Sequence, residues 1–288
     1  MLKDEKQQIA ARLKDYCAQK GSQNKAANSM AGVSSATVSK VLAGDWDTIS
    51  DDMWRTIASQ VGHERKGWNI APTQAYKRMT FLLTNAQRES LVLAVTGDAG
   101  CGKTEAIKNY AAAGRHVYHL CCSEYWNRRT FMGKLLRCMG IDFTGCTVSD
   151  MMDDIIDTLK RTDSPLVVLD EADKLSDQVF YFFISLYNQL EGHCGIMLCA
   201  TDFLEKRIKK GLRTKRKGYE EIYSRMGRKF VKLQVINGED IAAVCAANGV
   251  TDPKAVRTII DDCECDLRRV KRAVWAKNME DAQWKGLR

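Results

Sequence analysis

Proline is scarce, with three residues in 288, and no apolar run approaches the roughly 18 residues that a bilayer crossing needs. The first shortage leaves little room for disordered linkers; the second excludes a helical membrane span. The N-terminal stretch "MLKDEKQQIAARLKDY" is charged throughout and has no apolar block of the kind a signal peptide carries, so a cytoplasmic protein with no membrane partner is expected. Eleven cysteines form an odd set without framework spacing, which reads as reduced thiols packed as small apolar groups. "HVYHLCC" brings His116, His119, Cys121 and Cys122 together in sequence, but a strand turns alternate side chains to opposite faces and scatters such a metal list. Cys263 and Cys265 have no second pair nearby. Internal repeats and low-complexity tracts are missing too. What remains is an ordinary globular balance, 45% hydrophobic and 28% charged. Compact units cluster at roughly 100–200 residues, so the chain has room for two or three.

The net charge of +8 is concentrated. Residues 205 to 232, "EKRIKKGLRTKRKGYEEIYSRMGRKFVK", hold twelve Lys or Arg against three Glu, a local +9 that leaves −1 for everything else. Cations gathered in this way commonly meet polyanions by releasing counterions condensed on phosphates, although a solvated loop has the same composition.

The first 62 residues read as short helices. "KDEKQQIAARLKDYCAQKG" places Ile9, Leu13 and Tyr16 at helical spacing and ends at Gly21. In "SQNKAANSMAGVSSATVSKVLAGD", a helix carrying Ala26 and Ala27 meets a tight turn at Ala31 and Gly32, and a second helix opens at its N-cap Ser34 and runs to about Leu42. Small residues let the helices cross closely, and Val33, Val38 and Val41 can bury the inner face. Ser34, Ser35, Thr37, Ser39 and Lys40 stay outside, short polar groups suited to phosphates and base edges. Residues 22 to 62 resemble the helix-turn-helix of the Cro-like phage repressors, which implies DNA contact through Ser35, Thr37 and Lys40. The segment carries little net charge, and a helical protein-docking module has the same pattern.

"GHERKGWNIAPT" is punctuated by Gly62, Gly67 and Pro72, which places a linker at residues 63–72. A helix with Tyr76, Met79, Phe81 and Leu82 then leads to the apolar strand "LVLAV" and directly into "GDAGCGKT". This fits GxxxxGKT at Gly97, Gly102, Lys103 and Thr104, between a strand and a helix as the motif requires. Backbone N–H groups of Gly97, Asp98, Ala99, Gly100, Cys101, Gly102 and Glu105 can wrap phosphates, Lys103 supplies a cation to the β and γ oxygens, and Thr104 offers a hydroxyl to Mg²⁺. The strand "SPLVVLDEAD" ends in Asp170, a metal carboxylate, and Glu171, placed to polarise a water attacking the γ phosphate. The pair thus points to ATP hydrolysis.

Downstream come the buried strand "GIMLCATDF" with Thr201 after it, "YSRMGRKFVKL" with Arg225 and Arg228, and "CDLRRVKRAVWA" with Arg268. Over residues 73 to 288 this order resembles the AAA+ ATPase family. The resemblance implies an α/β P-loop NTPase core at 73–237 with a parallel five-stranded sheet, then a small helical lid at 238–288, after an all-α helix-turn-helix domain at 1–62. It also implies ATP and Mg²⁺ as cofactors and self-assembly into a ring or helical filament. Thr201 takes the sensor one position, Arg225 the arginine finger with Arg228 second, and Arg268 the sensor two arginine.

The domain order further resembles the transposition target-selection ATPases, the MuB-like family of phage Mu with IstB and TnsC more loosely related. That implies filaments on duplex DNA, largely independent of sequence, and delivery of target DNA to a transposase. Two segments offer cations for such a bore: "SEYWNRRTFMGK" with Arg128, Arg129 and Lys134, and the run from Lys206 through Lys209, Lys210, Arg213 and Lys215 to Lys217. Tyr125 and Trp126 are expected in the core. A DnaC-like helicase loader and a repressor-like transcription regulator with an ATPase sensor module are the competing readings.

Overall fold

The computed structural model describes residues 1–62 and 67–286, with side chains described as far as residue 280. Positions 63–66 of the expected linker, and 287 and 288 of the expected lid, lie outside the described residues.

Four helices open the chain: α1 (Lys3–Lys20), α2 (Gln23–Ser29), α3 (Ser35–Ala43) and α4 (Asp51–Gln60). Ser22, Ser34 and Ser50 each cap the helix that follows by accepting a backbone N–H, from Lys25, Thr37 and Met53. Such a cap is worth about 1 kcal/mol, enough to hold helices as short as α2 in place once their inner faces are buried. Those faces meet in a core of Ile9, Leu13, Cys17, Ala26, Val38, Val41, Trp54 and Ile57. Cys17 takes the buried place expected for Tyr16, which is half-buried with its hydroxyl 2.7 Å from Ser29 Oγ. The helical period explains the exchange, since position 17 lies one turn beyond Leu13.

The central body contains α5 (Gln74–Arg88), β1 (Val92–Thr96), α6 (Lys103–Ala113), β2 (Val117–Cys121), α7 (Arg128–Met139) and α8 (Val148–Arg161). It continues with β3 (Leu166–Asp170), α9 (Asp177–Leu190), β4 (Gly195–Ala200), α10 (Asp202–Arg213), α11 (Tyr219–Arg225) and β5 (Phe230–Lys232). The strands lie in the order β2-β3-β4-β1-β5, all parallel. Their near-continuous apolar sequences follow from helices on both faces. Val167, Leu169, Ile196 and Leu198 join one core with α7, α8 and α9, while Leu166, Val168, Met197 and Cys199 join the other with α5 and α6. Register aligns Cys121 with Asp170, Asp170 with Cys199, and Thr96 with Ala200, so four strands end at one edge.

Three last helices, α12 (Gly238–Ala247), α13 (Pro253–Asp262) and α14 (Leu267–Gly286), pack on the second core. The segment before α5 is tied to them. Asn69 and Asn248 exchange hydrogen bonds in both directions at 2.9 Å, and the buried carboxylate of Asp240 accepts the Gln74 N–H at 2.8 Å.

The N-terminal helices seat on the carbonyl ends of α6 and α7. Lys20 Nζ donates to Cys138 O at 2.7 Å, Asn28 Nδ2 to Gly140 O at 3.3 Å, and Gln19 Nε2 to the carbonyls of Ala111 and Gly114. A cation at a helix C-terminus matches the dipole, although burial lowers the Lys20 pKa. Gly140 has φ +74°, and a Cβ there would lie 2.5 Å from the Lys25 carbonyl oxygen. Gly140→Val is therefore expected to lose about 1–2 kcal/mol from the left-handed backbone alone, with the steric collision added to it. Urea denaturation checks the loss, and a loss no larger than this backbone cost would show that the seat is not occupied.

Among the described residues no helix is long and apolar enough to cross a membrane.

Candidate functional site

At the carboxyl ends of the strands, the loop from β1 to α6 and the loop after β3 face each other across a cavity of about 490 Å³. Open parallel sheets place ligands at this edge. Ala99, Gly100, Cys101, Gly102, Lys103, Thr104 and Glu105 line it. Gly97 and Asp98 sit behind them and present their carbonyls to Lys103 Nζ at 2.6 and 2.9 Å. The ammonium is parked on its own loop, within reach of the N-terminus of α6, where unpaired amides favour anions.

Thr104 Oγ1 donates to Asp170 Oδ2 at 2.7 Å, and His119 Nε2 lies 3.7 Å from the same oxygen. Asp170 is 1% exposed. Burial pushes its carboxyl up, but the His119 and Thr104 side chains and the Glu171 amide outweigh this and hold it below the ordinary value. A hydroxyl and a buried, ionised carboxylate in contact form an oxygen donor pair suited to a hard divalent cation.

Glu171 follows with φ +55° and is bound by Lys174 Nζ at 2.6 Å, while Cys121 Sγ lies 3.7 Å from its Oε2. Burial and the neighbouring charges of Glu171 and Asp170 raise the Cys121 thiol, so it stands there as a neutral donor. Thr201 lines the cavity and its hydroxyl reaches Asp173 Oδ2 at 3.2 Å. Arg268 enters from α14.

Sequence reasoning missed the apolar end of the cavity, formed by Trp68, Ile70, Tyr76, Val244 and Leu267, with Lys271 Nζ 5.2 Å above the Trp68 ring. The available signal was two large apolar residues, Trp68 and Ile70, in a stretch otherwise punctuated as linker. Aromatic and aliphatic side chains lining one cavity with a phosphate loop suit the apolar faces of a purine ring.

Residues 84–208 match the AAA domain. No curated protein matches the sequence. The AAA match runs from α5 into α10 and contains the phosphate loop, Asp170, Glu171 and Thr201. It supports an AAA+ ATPase, and the parallel five-stranded sheet between helices fits the α/β P-loop NTPase fold. A nucleotide-dependent ATPase with ATP and Mg²⁺ is the chemistry that goes with an AAA domain.

Outside the AAA match, Arg225 is held within its own chain. Its Nε donates to Asn188 Oδ1 at 3.1 Å, Glu221 lies at 3.6 Å, and its guanidinium stacks 5.0 Å over the Tyr187 ring. Arg228 is exposed, with φ +56° and no ion pair among the described residues.

The basic run is partly spent on the fold. Lys206 pairs with Asp202, Lys209 with Glu205, and both Arg207 and Arg216 with Asp177. Lys210, Arg213, Lys215 and Lys217 are exposed and have no ion pair among the described residues. In the other basic segment, Arg128 lies over Phe182, Arg129 donates to Cys146 O at 2.7 Å, and Lys134 is exposed. Trp126 is buried as expected, whereas Tyr125, expected in the core, is 81% exposed. Of these two neighbours in the turn before α7, only Trp126 packs into the core. On α3, Ser35 and Lys40 are exposed and Thr37 is half-buried, with its backbone N–H bonded to Ser34. Lys40 donates to Thr48 Oγ1 at 3.1 Å.

Proposed function

We propose that the chain is a cytoplasmic, ATP-dependent DNA-binding AAA+ ATPase that assembles with copies of itself on duplex DNA and passes target DNA to a transposase. One observation carries this reading. A phosphate loop, a buried carboxylate and a candidate base face one cavity, while the same chain exposes cations that no acid among the described residues pairs with.

The triphosphate of ATP rests on amides of residues 99 to 105, the Gly97 N–H expected there being committed to Ala200 O, with Lys103 leaving its carbonyls for the phosphate oxygens, and the base enters the cavity beside Trp68 and Tyr76. Thr104 and Asp170 would hold Mg²⁺, which when bound supplies neutralising charge at the phosphates. Glu171 accepts the proton of the attacking water once it is freed from Lys174. Thr201 contacts the departing phosphate and Arg268 approaches it from the lid. Arg225, with Arg228 second, reaches the nucleotide of a neighbouring subunit, so ATP adds contacts across the junction and hydrolysis removes them.

Backbone phosphates of a duplex meet Lys210, Arg213 and Lys215, with Lys206 and Lys209 on the same helix, or Arg128, Arg129 and Lys134. The Cro-like reading adds Ser35, Thr37 and Lys40. Contacts of this type need no particular sequence. The transposase partner follows from the likeness in domain order to the MuB-like family.

Electron microscopy of the protein with an ATP analogue and random duplex tests the reading. Long helical filaments are expected. Short rings preferring single strands would favour a helicase loader, and a footprint at one operator without assemblies would favour a transcription regulator. Arg213→Glu with Lys215→Glu is expected to lower the slope of log affinity against log salt by roughly 2 units, because each lost phosphate contact removes about 0.9. An unchanged slope would move DNA away from this turn.

A further inference from the structure

The pattern GxxxxGKT leaves position 100 free, yet this chain has glycine there, with φ +77°. What occupies the space of the missing side chain comes from the lid. A Cβ on Gly100 would collide with Oδ1 and Cγ of Asp266 and lie 2.9 Å from Oδ2, so the carboxylate lies directly against the loop. The next residue bonds to the same glycine, as Leu267 N–H donates to Gly100 O at 3.0 Å. Leu267 Cδ1 also lies 3.4 Å from where a Cβ on Gly102 would stand. Leu267 and Arg268 line the cavity and Asp266 does not. Two successive residues thus grip the loop, one by its carboxylate and one by a backbone bond, and the next, Arg268, lines the cavity.

The turn that presents them is built for that placement. Glu264 and Cys265 both have left-handed backbones, φ +50° and +58°, which residues with a Cβ seldom adopt. An ion pair of 2.5 Å from Arg269 to Glu264 spans the turn, and Asp266 Oδ1 caps α14 by accepting the Arg268 N–H at 2.7 Å. A carboxylate beside a polyanion site is electrostatically unfavourable for the ligand, so its value there lies in position rather than charge.

We propose that Asp266 is a positioning residue that latches the helical lid onto the phosphate loop, and that its contact with Gly100 sets how firmly Arg268 holds the terminal phosphate of a nucleoside triphosphate. The inference rests on the nucleotide-site reading above and names the part of the lid that registers Arg268 on it. A latched lid keeps Arg268 in one place before ligand arrives, so the ordering cost is removed from binding. The benefit falls on ATP, whose terminal phosphate Arg268 can reach, and much less on ADP.

Four variants test it: Asp266→Ser, Asp266→Asn, Gly100→Ala, and Gly100→Ala combined with Asp266→Ser. Serine keeps the helix cap but removes the planar group from Gly100, and asparagine keeps the cap and a planar carboxamide of the same shape. Titration with fluorescent ATP and ADP is expected to show Asp266→Ser weakening ATP by about tenfold, a coupling of ordinary size, with ADP little changed. Asp266→Asn should bind both at least as tightly as the parent protein. Gly100→Ala should cost a larger factor with Asp266 present than with serine there, because the shorter side chain vacates the space. Equal loss of ATP and ADP in Asp266→Ser, or the same Gly100→Ala factor in both backgrounds, would overturn the latch.

Amide hydrogen exchange without nucleotide gives a separate reading. The Leu267 N–H is expected to exchange about tenfold faster in Asp266→Ser, because local opening sets that rate. Unchanged exchange overturns the latch whatever the nucleotide results. A parent protein that binds neither nucleotide, with faster exchange in Asp266→Ser, would retire the nucleotide reading and keep the latch.

Discussion

Glu171→Gln is expected to lower phosphate release by about 10²- to 10⁴-fold, the range attributable to a positioned general base, while ATP still binds. Glutamine has nearly the shape of glutamate but cannot take a proton from water at neutral pH. The phosphate loop, Thr104 and Asp170 are untouched by the change. Stability should hardly move, because the interaction lost is the pair with Lys174, whose side chains are both substantially exposed, and exposed pairs contribute only about 0–1 kcal/mol. Asp170 has the opposite profile. It is buried, accepts from Thr104 and sits beside His119, so its replacement is expected to disturb the fold as well as the proposed metal site. Glu171 is therefore the cleaner probe of chemistry. If assemblies on DNA persist only while ATP stays intact, the glutamine protein should remain on duplex long after the parent has left. Phosphate release at the parent rate, measured in a single turnover, would remove Glu171 from the reaction.

Much of this site can be read without coordinates because its members are close in sequence. Gly102, Lys103 and Thr104 must sit at a helix start, and Asp170 and Glu171 must end a strand, once "LVLAV" and "SPLVVLD" are read as buried parallel strands. Their meeting requires only that β1 and β3 end at the same edge, and β4 between them enforces it through the Thr96–Ala200 and Asp170–Cys199 pairings. The apolar slot had no such local signal. Trp68, Tyr76, Val244 and Leu267 come from four separate segments, and only the packing of α12 and α14 on the second core brings them together.

The same limit applies to charge. Twelve cations in residues 205 to 232 read as one basic surface, but composition does not show that Asp177, far upstream, pairs with both Arg207 and Arg216. Tyr125 and Trp126 differ for a related reason. An aromatic pair in a turn signals that one ring is buried, and the identity of that ring depends on the route the chain takes into α7. Asp266 was hidden inside "DLRR" by the arginines after it, since an acid before a helix is ordinarily just a cap.

Lys103→Ala is expected to weaken ATP by about 10- to 100-fold, because a hydrogen bond to a charged group is worth roughly 1.5–3 kcal/mol and tenfold corresponds to about 1.4. Without ligand, Lys103 Nζ donates to Gly97 O and Asp98 O, so the ammonium already neutralises two carbonyls that point into the loop. Alanine removes both those bonds and the charge that would pass to the phosphates. The loop's backbone is otherwise held by the Gly97 N–H to Ala200 O bond at 3.2 Å and by Leu267 N–H on Gly100 O, which keeps the fold intact. ATP should lose more than ADP, since the lysine reaches the β and γ oxygens together and ADP has only the first. DNA retention should then cease to respond to ATP while weak, salt-sensitive binding through Lys210, Arg213 and Lys215 survives. Calorimetric titration and retention on duplex at two salt concentrations separate the two effects. Unchanged ATP affinity would mean that the loop does not hold a triphosphate, and ATP-responsive retention in the alanine protein would mean that the grip on DNA is set elsewhere than at this lysine.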